Sequence, residues 1–479
     1  MPRRLIRVTD APLRAALAAL RTELGVPDTY PPEAVAEAER PPVLPEHDAT
    51  DIPLFTIDPP TATDLDQAMH LSRRGSRRGG GYRVRYAIAD VAAFVVPGST
   101  LDAETHRRVM TLYFPDEKVP LHPEALGEGA ASLLPGQVRP AALWTIDLDG
   151  DGRTVATDVR RALVRSRAKL DYAGVQKDID GGTAEEPLAL LAEVGRLREA
   201  LEVERGGISL NVPEQEIVER NGGTYELTYR APLPAEGWNA QISLLTGMAA
   251  ADLMIEYGTG VLRTLPAAPD GAVGRLRRTA LALRIDWPHH VSYAALIRSL
   301  DPTVPRHAAF LQECTTLLRG AGYTVFRDGA VPDITTHAAV AAPYAHCTAP
   351  LRRLADRYAS EICLAAVAGA APPEWVLAAL DVLPREMTEG GRRASAVERE
   401  CVDLVEAALL KDRVGEVFDG CVVELGERRP TVGVVQLESP AVIGRVEGAG
   451  LRLGERLRVR LTRADPGPER RAAVRFAPA

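Results

Sequence analysis

The sequence predicts an α+β protein in three parts: a small helical unit over residues 1–45, a mixed sheet-and-helix body over 46–412, and a small all-β barrel of OB type over 413–479. Three observations carry this. Leucines recur at helical spacing near the N-terminus, apolar residues alternate with period two in "YRVRYAIAD", and five short β-type runs follow residue 415 between turn residues. Helical and strand-like stretches are interspersed without a regular alternation, which favours α+β over a doubly wound α/β sheet.

In "APLRAALAALRTELG", Leu13, Leu17 and Leu20 share one helical face, and "PPEAVAEAER" begins with a proline suited to a first helical turn. Such a pair has the size of a helix-turn-helix-type unit. In "YRVRYAIAD", Tyr82, Val84, Tyr86 and Ile88 alternate with Arg83, Arg85 and Ala87, as a strand with one buried face requires. Helical stretches are expected at 185–205, 239–262 and 351–368, mixed with strand-like pieces such as "RRALVRSRAKLDY". The C-terminal runs are "GEVFDGCVVEL", "TVGVVQLE", "AVIGRVE", "ERLRVRLTRAD" and "RAAVRF", a count and spacing that suit a five-stranded OB barrel.

Composition narrows the function classes. A chain of 479 residues, 46% hydrophobic and 25% charged, has material for about three units with a real core. No apolar run approaches the roughly 20 residues of a spanning helix, and the basic N-terminus lacks an apolar signal core, so a cytoplasmic protein without a membrane partner is expected. Five scattered cysteines with no Cys-x-x-Cys pair argue against a disulfide framework or structural zinc. They read as buried small hydrophobes. With a net charge of -8, a polyanion must be met by local basic surfaces. Candidates are Arg73, Arg74, Arg77 and Arg78; Arg160, Arg161, Arg165, Arg167 and Lys169; and Arg352, Arg353 and Arg357, each of which could equally be a solvated face.

The densest chemical signal is "FTIDPPTATDLDQAMHL". Asp58 falls at the carboxyl end of a predicted strand, and Asp64 and Asp66 lie two apart in the loop after it. Oxygen-only donors at this density suit a hard cation, Mg²⁺ or Mn²⁺, better than zinc; the alternative is a turn with aspartate caps. A divalent ion beside basic surfaces is the equipment of phosphoryl transfer.

The same stretch resembles the signature of the ribonuclease II (RNB) family of hydrolytic exoribonucleases. The resemblance continues, in the family's order, through "YAIADVAAFVVPGSTLD", "LYFPDEKVPLHPEAL", "SLLPGQVRPA", "YAHCTAPLRRLADRYASE" and "RRASAVERE", over roughly residues 50–412. It implies an RNB-type catalytic body and an S1-like RNA-binding barrel at the C-terminus. The chain would be a short form in which the N-terminal helices, possible RNA contacts, stand in place of cold-shock domains. It further implies a monomer degrading single-stranded RNA with Mg²⁺, or Mn²⁺, held by Asp58, Asp64, Asp66 and Gln67.

Asp66 matches the aspartate on which the family's chemistry depends most, with Asp58 and Asp64 beside it. Gln67 stands where the family has a fourth aspartate, which implies weaker metal affinity and opens a second reading: an RNB-fold RNA-binding or regulatory protein of weak catalytic power. Arg352 matches the arginine on the scissile phosphate, its other reading being a helix-surface pair with Asp356. Tyr113 matches the aromatic that stacks on the 3′-terminal nucleotide, and Glu398 a glutamate near the terminal ribose, on the flank of a stripe of Val397, Cys401, Leu404 and Ala408. Arg353, His346 and Tyr344 complete the expected RNA contacts, the last two as site walls. The barrel's aromatics are mainly Phe418 and Phe476, which leaves RNA contact to Arg445, Arg456, Arg458, Arg460 and Arg463.

Overall fold

A computed structural model of the chain describes residues 11–479 apart from 76–79, 211–213, 221–223, 231, 269–270, 319, 427–428 and 467–472; Arg77 and Arg78 therefore lie outside the described residues. Two helices, α1 (Ala11–Glu23) and α2 (Pro32–Ala38), lead into the strands β1 (Leu54–Ile57), β2 (Gln67–Arg73) and β3 (Tyr82–Ala89). Helix α3 (Thr100–Arg108) and the short strands β4 (Leu112–Tyr113) and β5 (Lys118–Val119) precede the long pair β6 (Val138–Leu148) and β7 (Thr154–Leu170). Then come α4 (Tyr172–Asp180), α5 (Glu186–Arg205), the hairpin β8 (Glu214–Arg220) and β9 (Thr224–Arg230), α6 (Pro234–Tyr257) and β10 (Gly260–Thr264). A helical group α7 (Ala272–Ala282), α8 (Tyr293–Ser299) and α9 (Pro305–Cys314) is followed by β11 (Gly322–Phe326), β12 (Thr336–His337) and β13 (Ala342–Pro343). The body ends with α10 (Leu354–Ala368), α11 (Glu374–Ala379) and α12 (Leu383–Leu410), before β14 (Val417–Gly426), β15 (Arg429–Leu437), β16 (Ile443–Glu447), β17 (Arg456–Ala464) and β18 (Val474–Pro478).

Strands β1, β2, β3, β6 and β7 form one closed barrel, shut by a parallel β1–β7 pairing. Strands β14 to β18 form a second, ordered β14-β15-β16-β18-β17, with five strands where the sequence places five runs. The α+β expectation holds. In β3 the alternation is incomplete: Tyr82, Val84, Tyr86 and Ile88 join a core shared with α5, α6 and α10, but Ala87 and Ala89 are buried on the opposite face under Val91, Phe94 and Leu101. Period two therefore breaks where the strand is covered on both sides.

The helix expected over 239–262 starts earlier, with Pro234 in its first turn, and stops at Tyr257. Gly258 takes a left-handed conformation at φ 81°, capping the helix and releasing the chain into β10. The expected two-helix N-terminal unit does not form as such. Leu13, Leu17 and Leu20 bury against Val397, Cys401 and Leu404 of α12, whereas Ala34 and Ala38 of α2 pack with Phe94 and Leu101 beside α3. Each helix carries one narrow apolar face, and the body offers each a separate groove. All five cysteines are buried and free, and no described helix is long and apolar enough to cross a membrane.

Candidate active site

Asp58 directly follows β1 and Asp66 directly precedes β2, so the antiparallel pairing of those strands returns both residues to one end of the barrel. The loop between them is pinned by groups remote in sequence. The Ser132 hydroxyl donates to the Thr63 carbonyl at 2.7 Å and accepts from the Leu65 amide at 2.9 Å, while Lys169 donates to the carbonyls of Pro60 (2.7 Å) and Ala62 (2.6 Å).

The turn 348–353 closes over this loop. Asp66, 3% exposed, accepts from the Leu351 amide at 2.8 Å through one oxygen and faces Arg352 Nε at 3.1 Å through the other. The Gln67 amide donates to the Thr348 carbonyl, and His122 Nε2 lies 3.2 Å from the Pro350 carbonyl. On the far side the Thr111 amide donates to the Arg352 carbonyl at 3.0 Å, which brings β4 and its half-buried Tyr113 alongside; the phenol is near enough to influence the Arg352 charge. Segments from four of the quoted motifs thus meet around Asp66.

The electrostatics follow from this burial. Desolvation, offset in part by Arg352 and reinforced by the Asp64 charge, leaves the Asp58 carboxyl raised to about 6 and the Asp66 carboxyl to about 7. Asp64 itself is held by Lys118, whose Nζ lies 3.0 Å from Asp64 Oδ1 and 2.8 Å from Glu128 Oε1. Burial favours the neutral amine, but these two carboxylates outweigh it and raise the Lys118 pKa.

Among the described residues no three His, Cys, Asp or Glu side chains come together as a ready-made metal centre. The expectation that Asp58, Asp64 and Asp66 stand as an assembled ligand set needs correcting: the three do not come together as one, and Asp64 is paired with Lys118. The donor chemistry still fits a hard dication at Asp58 and Asp66: two buried carboxylates under shared electrostatic pressure gain most from a neighbouring positive charge.

Two other expectations change. Arg353, expected to contact RNA, is clasped by Asp356 at 2.5 and 2.7 Å; Asp356 is fully buried and also accepts from the Ala349 amide. Its guanidinium braces the start of α10. The alternative pairing of Arg352 with Asp356 falls for the same reason, since the helix begins only at Leu354 and the three-residue spacing to Arg353 takes the carboxylate.

Tyr344 and His346 pack edge to face with centroids 5.5 Å apart; His346 Nδ1 is 2.7 Å from the Tyr323 hydroxyl, and Arg263 lies over the Tyr323 ring at 4.8 Å. Burial, reinforced by Arg353 and Arg263, keeps His346 neutral. Glu398 is exposed on α12, outside the buried group around Asp66. Phe418 and Phe476 pack edge to face at 6.3 Å, 6% and 1% exposed, and serve as core.

Sequence reasoning missed Lys118, Glu128 and Tyr323, and it singled out Lys169 only as part of a basic run, not as the group that pins the aspartate loop. A signal existed for Lys118: it stands opposite Tyr113 across the β4–β5 pair, within the "LYFPDEK" motif already singled out. Nothing local marked the others.

Known proteins share this fold. The ribonuclease R of Aquifex aeolicus is 26% identical, over 94% of this chain and 68% of its own length, and the chain spans about half the length of other relatives bearing that name. Mycoplasma genitalium RNase R, solved with ribose-methylated single-stranded RNA, superposes with a TM-score of 0.84 at 19% identity, covering 98% of this chain and 78% of that one. Yeast Ssd1, described as a pseudonuclease, superposes at 0.69 with 16% identity over 92% of this chain and 56% of its own. The family model of the RNase II-type exonuclease C-terminal S1 domain matches residues 416–479. The RNB domain model matches residues 46–368, two thirds of the chain and the whole Asp66–Arg352 centre, and the chain therefore belongs to the RNB family.

Proposed function

We propose that the protein is a processive 3′-to-5′ exoribonuclease that hydrolyses single-stranded RNA to 5′-nucleoside monophosphates with a divalent metal, Mg²⁺ or Mn²⁺. The observation that carries this reading is Asp66 buried against Arg352 at the end of the first barrel, in a chain of the RNB family. The family is one of ribonucleases, and an RNase R that superposes on nearly the whole chain was solved with single-stranded RNA.

In this reading Arg352 takes the scissile phosphate. Its planar fork can bind two phosphate oxygens and stabilise charge that grows in the transition state. Asp58 and Asp66 would hold the metal, which supplies a nucleophilic water and charge neutralisation when bound. Water attacks the phosphorus, the preceding nucleotide's 3′-oxygen leaves and takes up a proton, and a 5′-monophosphate departs. Tyr113, beside Arg352, stacks on the terminal base, an interaction tolerant of any sequence. Asp64 and Gln67 line the same loop. Tyr344 and His346 form an aromatic wall, and the exposed Glu398 would meet the ribose only as RNA binds. The C-terminal barrel gathers substrate through its outward arginines.

A second reading, an RNB-fold RNA-binding protein of weak catalytic power, has its support in Gln67 and in the fold's likeness to a pseudonuclease. End-labelled single-stranded RNA incubated with Mg²⁺ separates the two. Mononucleotide products that disappear with EDTA support the enzyme; retained, intact RNA supports the binding protein.

A further inference from the structure

Lys118 is a site cation with no place in the reaction outlined above. Its ammonium bridges Asp64 (3.0 Å) and Glu128 (2.8 Å), and a 3.5 Å contact reaches the Thr63 hydroxyl, which in turn donates to Glu128. All three charged side chains are largely withdrawn from solvent, at 15%, 16% and 18% exposure. Glu128 is presented by the π-helical turn Ala125–Ala130, and Lys118 by β5, so two separately folded segments converge on the aspartate loop.

A hydrolytic centre with two metal ions needs carboxylates to serve both, at a separation of roughly 4 Å. Here the supply is short. Asp64 is committed to an ammonium, and the next candidate donor, Gln67, holds the Thr348 carbonyl through its amide nitrogen and offers only a neutral oxygen, which adds no charge to balance a second dication. Asp58 and Asp66 remain, with charge for a single dication once the scissile phosphate takes Arg352 from Asp66. We propose that the Lys118 ammonium takes the place of a second divalent ion beside Asp64, so that the centre holds one metal ion, on Asp58 and Asp66. This rests on the metal-dependent reading above but makes its own claim, about how many ions bind.

The test is a Mn²⁺ titration of the full chain followed by electron paramagnetic resonance, which counts bound ions without reference to activity. Wild type should bind one Mn²⁺ per chain and Asp66→Asn none. Lys118→Met, with a positive charge removed from beside the carboxylates, should bind two, the first about tenfold more tightly. Lys118→Arg, which keeps the charge, should stay at one. Lys118→Gln replaces the methionine variant if circular dichroism shows that one misfolded. Two ions or none in wild type, or a single ion in the neutral Lys118 variants, overturns the proposal. RNA cleavage measured in parallel keeps the readings apart: the expected counts without cleavage remove the proposed function alone, and cleavage with two ions in wild type removes only the role of Lys118.

Discussion

Arg352 and Arg353 are adjacent, equally charged and differently employed. Arg352 faces a single buried carboxylate at the end of the first barrel, whereas Arg353 is spent on Asp356. Arg352→Ala should leave the fold intact and slow RNA hydrolysis by about 10²- to 10³-fold, the loss typical of a deleted charge-stabilising donor. Arg353→Ala should instead cost about 3 to 5 kcal/mol of stability, because a fully buried aspartate loses its partner; chemical denaturation beside single-turnover kinetics checks both. The sequence could not separate these neighbours, since the choice turns on where α10 begins, and a proline-containing turn blurs that boundary by a few residues.

His122 gives a pH prediction at the same scale. Burial holds its imidazole at about 4, with one ring nitrogen against the Pro350 carbonyl and the other, among the described residues, without a hydrogen-bond partner. Its unfolded value is 6.5. Between those values the unfolded chain binds more protons than the folded one, so stability falls as pH drops from about 6.5 towards 4 and this group adds no further loss below. The full effect is about 3 kcal/mol at most. Denaturation midpoints measured across that window should show the slope in wild type and a shallower one in His122→Gln.

Among the elements, the second barrel and the placement of Asp58 and Asp66 at strand ends were legible because each rests on local signals, whereas the closure of β1, β2, β3, β6 and β7 into a first barrel was not, since it depends on the long-range parallel pairing of β1 with β7. Strand alternation, turn residues and a proline break all act within about ten residues. What α1 packs against was not legible, since Leu13, Leu17 and Leu20 announce an apolar face without naming its partner. Leu17, fully buried in the apolar core that α1 shares with α12, is the position to test. Leu17→Ala should destabilise the protein by about 2 to 5 kcal/mol, which an independent N-terminal unit would not transmit to the body. Calorimetry decides it: one cooperative transition shifted downward fits docking, and an unchanged main transition does not.

The second barrel raises the complementary question of how RNA is held. Its only aromatics, Phe418 and Phe476, are interior, so stacking is not available on its outer face and charge must serve. Arg456, Arg458 and Arg460 alternate outward along β17. Replacing Arg458 and Arg460 by alanine should weaken RNA binding and reduce the slope of log affinity against log salt by about 0.7 for each phosphate no longer neutralised. Equal slopes in wild type and variant would assign RNA capture to another surface.

For the whole molecule, the centre exists only because distant segments arrive together. Residues near 65, 111, 132, 169 and 350 are tied by hydrogen bonds of 2.6 to 3.0 Å into one frame around Asp66. Motif order in the sequence signalled that such a frame forms, but the pairing of Lys118 with Glu128 was not legible because nothing local relates a strand lysine to a π-helical glutamate. The central claim is that this frame hydrolyses RNA through Asp66. Its most direct measurement is single-turnover cleavage of 5′-labelled single-stranded RNA under saturating Mg²⁺, comparing wild type with Asp66→Asn at equal RNA occupancy. The account predicts stepwise shortening from the 3′ end in wild type and rates at least about 10³-fold lower in the variant. RNA left intact by both, or shortened by both at the same rate, would contradict it.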